Sequence, residues 1–260
     1  MKKSINTESK LVPVIFQVLL ILAWQVLADM GRIPKYILPS PKDIIISLFK
    51  ILPDIRIHLY TTLEEAAIGF TIAVLISIVI AVLMDNYRVV RKSLYPILVV
   101  SQTIPVIALA PLFMIWFGFG ITPKVIVVVL VCFFPVAISL LDGLDSVDRD
   151  MINLLKSMGA SKFQIFRYVK FPGALTSFFS GLRIAATYSI MGAIIGEWLG
   201  GEKGLGVYMI RVKHSFALDK MFAVILVIVV LSMALFGFIY LIQRLVTPWD
   251  SKDKNKGEQQ

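Results

Sequence analysis

Apolar residues in this chain run in long blocks separated by polar stretches. Six blocks stand out, at 11–28, 66–84, 94–117, 125–141, 174–199 and 221–242. Each is close to the roughly 20 residues that a helix needs to cross a bilayer. The block from Ala66 is rich in Ile and Val, yet helix is still expected there, because a span in lipid must satisfy its backbone internally. The pattern predicts an all-α polytopic membrane protein with about six transmembrane helices. One membrane domain is expected over 11–249, flanked by a cytoplasmic amino-terminal segment, 1–10, and a polar, disordered tail, 250–260. No Gly/Ser-rich linker and no internal repeat divides it.

The opening MKKSINTESK and the apolar run after it look like a signal peptide. The run exceeds a usual signal core and no A-x-A site follows, so a retained first span is expected. The next stretch, 29–60, carries Pro34, Pro39, Pro41 and Pro53 around the amphipathic PKDIIISLFKIL. It reads as an outer loop with a short helix lying on the membrane surface.

Composition agrees with this picture. The 260 residues are 58% hydrophobic and 17% charged, against about a quarter charged in soluble domains. Mean hydropathy is +0.83. The net charge of +9 does not point to nucleic acid, because the Lys and Arg sit between apolar blocks rather than along one face. Basic loops of that kind set membrane orientation and attract anionic lipid. With the amino terminus inside, the inner segments hold 15 Lys and Arg and the outer ones 10, with Arg183 left inside a span.

The candidate chemistry is sparse. The single cysteine, Cys132, excludes a disulfide within the chain and reads as a small buried hydrophobe. His58 and His214 stand alone in predicted loops, so no metal site and no cofactor are expected. No nucleophile–base pair falls within the spans, and no G-x-x-x-x-G-K-[ST] run is present to cradle a nucleotide phosphate. The chain is not expected to be an enzyme.

The inner stretch 145–173, DSVDRDMINLLKSMGASKFQIFRYVKFPG, is too polar to span and predicts two short helices. Ser146 is placed to cap the first, with Asp148 and Asp150 in its first turn. Met151, Leu154, Leu155 and Met158 recur at i, i+3, i+4 and i+7 and form one apolar face. Gly159 is the natural stop, Ser161 and Gln164 form a capping box, and Pro172 is expected to end the second helix. Such a pair either packs on the inner ends of the spans, docks in the groove of a soluble partner, or lies on lipid headgroups. From physics alone, packing ranks first and docking second.

This loop resembles the coupling loop of permease subunits in binding-protein-dependent bacterial ABC importers. That family's Glu-Ala-Ala signature falls on Asn153, Leu154 and Leu155 and is not kept, whereas Gly159, Ala160 and Pro172 occupy the expected places. The likeness extends over 38–249. The LPSP run at 38–41, SQTIPVIALAPLFMIWFGFG and FFSGLRIAATYSIMGAIIGEWLGGEKGLG resemble the nitrate/sulfonate/taurine branch. GLRIAATYSIMGAIIGEWLGG is most similar to permeases for thiamine-precursor pyrimidines, with riboflavin-type permeases nearby. The resemblance implies a type I importer fold and a multi-pass protein of the bacterial inner membrane. It also implies two permease copies, separate ATP-binding cassette ATPases gripping the loops, and an outer solute-binding protein. Met151, Asn153, Leu154, Leu155, Met158, Gly159, Ala160 and Pro172 are then the ATPase-coupling residues.

Within the spans, Gln102, Pro105 and Pro111 mark either an ordinary kinked helix or an irregular wall beside a polar cavity, and Gln102 at the kink favours the cavity. Arg183 and Glu197 would lie about 21 Å apart along one helix and cannot pair there. Interface anchoring is the first expectation for both; lining the translocation path is the alternative, which the family's use of this span strengthens. Gly181, Gly192 and Gly196 with Ala185 and Ala193 allow close helix approach, in a dimer or within one subunit. Glu64 and Glu65 are expected to be exposed at the interface. A stand-alone secondary carrier or channel is the competing class, but it usually needs more ionisable groups at mid-bilayer than Arg183 and Glu197 supply. A structural assembly factor is a third class.

Overall fold

The computed structural model describes residues 7–31, 34 and 37–248. The expected tail, 250–260, and the first residues of the amino-terminal segment lie outside the described residues. Ten α-helices are laid out in chain order: α1 Thr7–Asp29, α2 Pro41–Asn86, α3 Arg88–Ser101, α4 Val106–Phe117, α5 Ile121–Asp145, α6 Arg149–Ser157, α7 Lys162–Ile165, α8 Phe171–Gly200, α9 Leu205–His214 and α10 Leu218–Val246. A π turn, Phe166–Lys170, joins α7 to α8. Five helices are long and apolar enough to cross a membrane, and α3 with α4 makes a sixth, bent by 102°.

One expected element is corrected. The proline-rich segment before the second block is not a separate surface helix. Ser40 caps α2 by accepting from the Asp43 N–H, Pro41 stands in the first turn, and the helix runs 46 residues without a break, Pro53 included. Its length is about 69 Å, more than twice the roughly 30 Å hydrocarbon thickness. The outer half is held by packing rather than by lipid. Ile44, Ile51 and Ile55 are buried against Tyr208, Met209 and Val212 of α9 and Val224 of α10. Pro53 leaves the Phe49 carbonyl without its helical partner, and Phe49 is 70% exposed. The third block carries irregular backbone at its prolines, one of the two readings expected for it. It breaks at 102–105, where Pro105 becomes the N-cap of α4 in an extended conformation.

The core is the contact of α5 with α8, which run antiparallel on either side of the inner loop. Its closeness depends on small residues. A Cβ at Gly181 would sit 2.6 Å from both the Pro135 carbonyl and the Ser139 Cβ, and one at Gly192 would sit 2.8 Å from Val131. Ala185 and Ala193 are fully buried in the same seam. Cys132 donates its thiol to the Ala185 carbonyl at 3.2 Å. The small-residue face of α8 is therefore spent inside the subunit, which decides between the two uses expected for it. At the periphery, α1 touches the rest through the Trp24–Phe222 ring contact and through Gln25, whose Oε1 accepts from the Lys42 N–H.

Gly181→Leu should force α5 and α8 apart and lower stability by about 1–3 kcal/mol, the range for overpacking a filled core. Gly237→Ala, where an added Cβ meets nothing within 4 Å, should be neutral. Thermal denaturation of the purified variants in detergent checks both.

Candidate functional site

The inner loop is built from its caps outward. Asp148, not Ser146, caps α6: its carboxylate accepts from the Asp150 N–H, while Ser146 closes α5 by donating to the Gly143 carbonyl. A carboxylate two residues nearer the helix satisfies the open N–H and meets the helix dipole. At the other end Gly159 has φ +83°. The Gly159 N–H reaches the Lys156 carbonyl at 2.9 Å and the Ala160 N–H reaches Leu155 at 3.0 Å, the paired bonds of a Schellman stop. The Ser161–Gln164 capping box is complete in both directions.

Pro172 does not end the second helix, as expected from its sequence position. The chain widens instead into a π turn, in which the Phe171 N–H bonds to the Phe166 carbonyl five residues back. That extra residue absorbs the bond Pro172 cannot donate, and α8 continues directly into the membrane. The loop is clasped at both ends. Arg91 at the start of α3 forms a two-pronged ion pair with Asp145, and Lys170 pairs with Asp85 at 2.5 Å.

Between the clasps, α6 is open. None of its residues is buried, and Met151, Leu154 and Met158 are 50%, 62% and 74% exposed. Leu155 alone of this face is half-buried, so the packing on the span ends, ranked first from the sequence, leaves most of the face uncovered. Asn153 falls on another side of α6, facing a cleft toward α2, rather than on the apolar stripe.

The residues singled out within the spans fall into three separate places. Gln102 and Pro105 lie at the 102° bend, exposed on this single chain, and Pro111 sits inside α4. Arg183 is half-buried between α8 and α10. It donates to Gln243 Oε1 at 2.8 Å and to Ser180 Oγ at 3.1 Å, with the Phe236 and Tyr240 rings 5.7 and 6.0 Å from its guanidinium.

Glu197 is 1% exposed at the outer end of α8, so it is not an interface anchor. Its carboxylate accepts from Thr62 Oγ1 and from the Gly206 N–H, each at 2.6 Å. Beside it Lys124 of α5 pairs with Glu65 of α2 at 2.6 Å. Glu65, expected to be exposed, is also 1% exposed. His58 is not in a loop. It lies in α2, accepts from the Gly204 N–H at 3.0 Å and stacks at a tilt on Tyr208. The glycines after Glu197 make this possible. Gly204 has φ +128°, and a Cβ there would lie 2.1 Å from the Glu197 carboxyl carbon. Sequence reasoning missed the cluster; its one visible trace is His58, Thr62, Glu65 and Gly69 recurring at helical spacing on one face of α2.

Residues 73–248 match the family model described as "Binding-protein-dependent transport system inner membrane component". The chain belongs to this family. It is 39% identical to the formylaminopyrimidine transport permease of Halalkalibacterium halodurans, over 92% of this chain and 96% of that one. It is 32% identical to the riboflavin transport system permease of Chloroflexus aurantiacus, over 90% and 88%. It is also 32% identical to the taurine transport system permease of Escherichia coli, over 88% and 86%. In fold it is similar to a crystal structure of an amino acid ABC transporter with histidines, at TM-score 0.64 and 19% identity over 76% of this chain and 97% of that one. It is likewise similar to the inward-facing methionine transporter MetNI, at TM-score 0.60 and 20% identity over 76% and 96%.

The protein is thus an inner-membrane permease of an ATP-driven importer. It is a transport subunit without enzymatic activity, and it works with an ATPase and a binding protein on other chains. In this permease the inner loop offers an open apolar face between two clasped ends, while the middle of α2 is knotted by buried polar groups to the outer ends of α5 and α8 and to the start of α9. Lys124 is the one cation in that knot among the described residues. Lys124→Met should destabilise the permease by about 3–5 kcal/mol, because Glu65 then stays buried without its counter-charge. Adding Glu65→Leu should restore much of the loss, as read from detergent melting of the single and double variants.

Proposed function

We propose that this permease moves a pyrimidine of the thiamine-precursor class, delivered at the outer face by its binding protein. The observation that carries this reading is the 39% identity, nearly end to end, with a permease named for formylaminopyrimidine. The riboflavin permease, also named for a nitrogen heteroaromatic, adds support at 32%. Equal identity to a taurine permease makes an aliphatic sulfonate the second reading.

The mechanism has three parts. Two copies of the chain form the path on a shared axis. This is supported by the polar break at 102–105, whose residues are uncovered in one chain although irregular backbone at membrane depth needs protein or water around it. Each ATPase takes the apolar face of α6, which is supported by the exposure of Met151, Leu154 and Met158 and by the helix-in-groove mode of recognition. Closing of the ATPases then swings α5 and α8, which enter the loop directly, and alternates access between the two sides. Gln102, Pro105 and Pro111 are assigned to the path wall. Arg183 and Glu197 brace helices beside it.

Uptake by cells carrying this permease with its own ATPase and binding protein tests the solute. Labelled formylaminopyrimidine should accumulate and labelled taurine should not. Accumulation of taurine alone would replace the pyrimidine reading with the sulfonate one.

A further inference from the structure

The cleft between α6 and the inner end of α2 has no part in the mechanism above. Its volume is about 550 Å³. Arg149, Lys156, Lys162 and Lys170 line it, and the one acid on its wall, Asp85, is already paired with Lys170. Among the described residues no carboxylate pairs with Arg149, Lys156 or Lys162. Asp148 and Asp150 open α6 but do not line the cleft. Three uncompensated cations therefore face one space. Asn86 and Asn153 add amide groups, and Ile152, Ile165 and Phe166 supply an apolar side.

Depth and direction narrow the occupant. Asp85 directly follows the apolar block that ends at 84, and Lys170 precedes the block that begins at 174. The cleft thus opens where the span meets the inner surface, the level of lipid phosphates. Arg149, Ile152, Asn153 and Lys156 recur at i, i+3, i+4 and i+7 and form one stripe of α6, while the exposed apolar residues form another. A small soluble anion has no use for the apolar side, whereas a phospholipid has an acyl chain to lay there, and the depth of the cleft at the bilayer surface favours a lipid over a protein segment. Basic pockets at the inner ends of spans attract anionic headgroups.

We propose that this cleft holds the phosphate of one anionic phospholipid of the inner leaflet, with Arg149, Lys156 and Lys162 as its counter-charges. The lipid ties the coupling loop to the bilayer on the side opposite its open apolar face. The site is independent of which solute the permease carries.

Native mass spectrometry of the assembled transporter, titrated with phosphatidylglycerol, phosphatidylcholine or inorganic phosphate, tests the proposal. One phosphatidylglycerol per permease should be retained in preference to phosphatidylcholine. Arg149→Gln/Lys156→Gln/Lys162→Gln should weaken that retention at least about tenfold. Lys156→Arg/Lys162→Arg, which keeps the charges, and Arg167→Gln, outside the cleft, should retain it. Three results would overturn the proposal: retention unchanged in the triple Gln variant, full displacement of the lipid by millimolar phosphate, or loss of the ATPase from that variant with lipid retention intact. The last would assign the cleft to an acidic surface of the motor.

Discussion

The close contact of α5 with α8 is the constraint on which the rest of the permease depends. Lipid offers no hydrophobic drive to bring helices together, so association rests on packing and on polar contacts between helices. Gly181 and Gly192, with Ala185 and Ala193, let the two backbones approach to a distance that a larger side chain would block. The same pair flanks the inner loop. A rigid α5–α8 unit therefore carries any displacement of the loop across the membrane, where a loose pair would absorb it.

The outer end shows what fixes that unit to its neighbours. Glu197 on α8, Lys124 on α5, Glu65, Thr62 and His58 on α2, and the N–H groups of Gly204 and Gly206 form one buried polar knot. Burying these groups is costly unless each finds a partner. The Gly-rich turn after Glu197 supplies donors without steric cost, and Lys124 supplies the charge that pairs with Glu65. Inner and outer ends are thus tied differently. Exposed or half-buried ion pairs, Arg91–Asp145 and Lys170–Asp85, hold the hinge of the loop, while deeply buried bonds hold the far end.

Much of this was legible in the sequence because it follows from local pattern. The apolar blocks predict the spans, and the Gly159 stop and Ser161–Gln164 box are seen as expected. The failures have physical causes. Pro53 and Pro172 read as breaks, yet an exposed carbonyl tolerates one and a π turn absorbs the other. Glu65 and Glu197 read as interface residues because their partners are remote: Lys124 lies 59 positions from Glu65, and Thr62 lies 135 from Glu197. No local window contains both halves of such a contact. The open face of α6 is hidden from a local reading for the same reason, since whether an amphipathic stripe is covered depends on elements elsewhere in the chain.

The central claim is that α6 projects into the cytosol and presents its apolar stripe to a motor on another chain. Cys132 is buried, so a Cys132→Ala background leaves a clean site for a single introduced thiol. Leu154→Cys in that background, treated with a membrane-impermeant maleimide, is the most direct measurement. The thiol should react in inside-out vesicles stripped of the ATPase, be shielded when the ATPase is restored, and stay unmodified in intact cells. Modification in intact cells, or labelling that ignores the ATPase, would contradict the account.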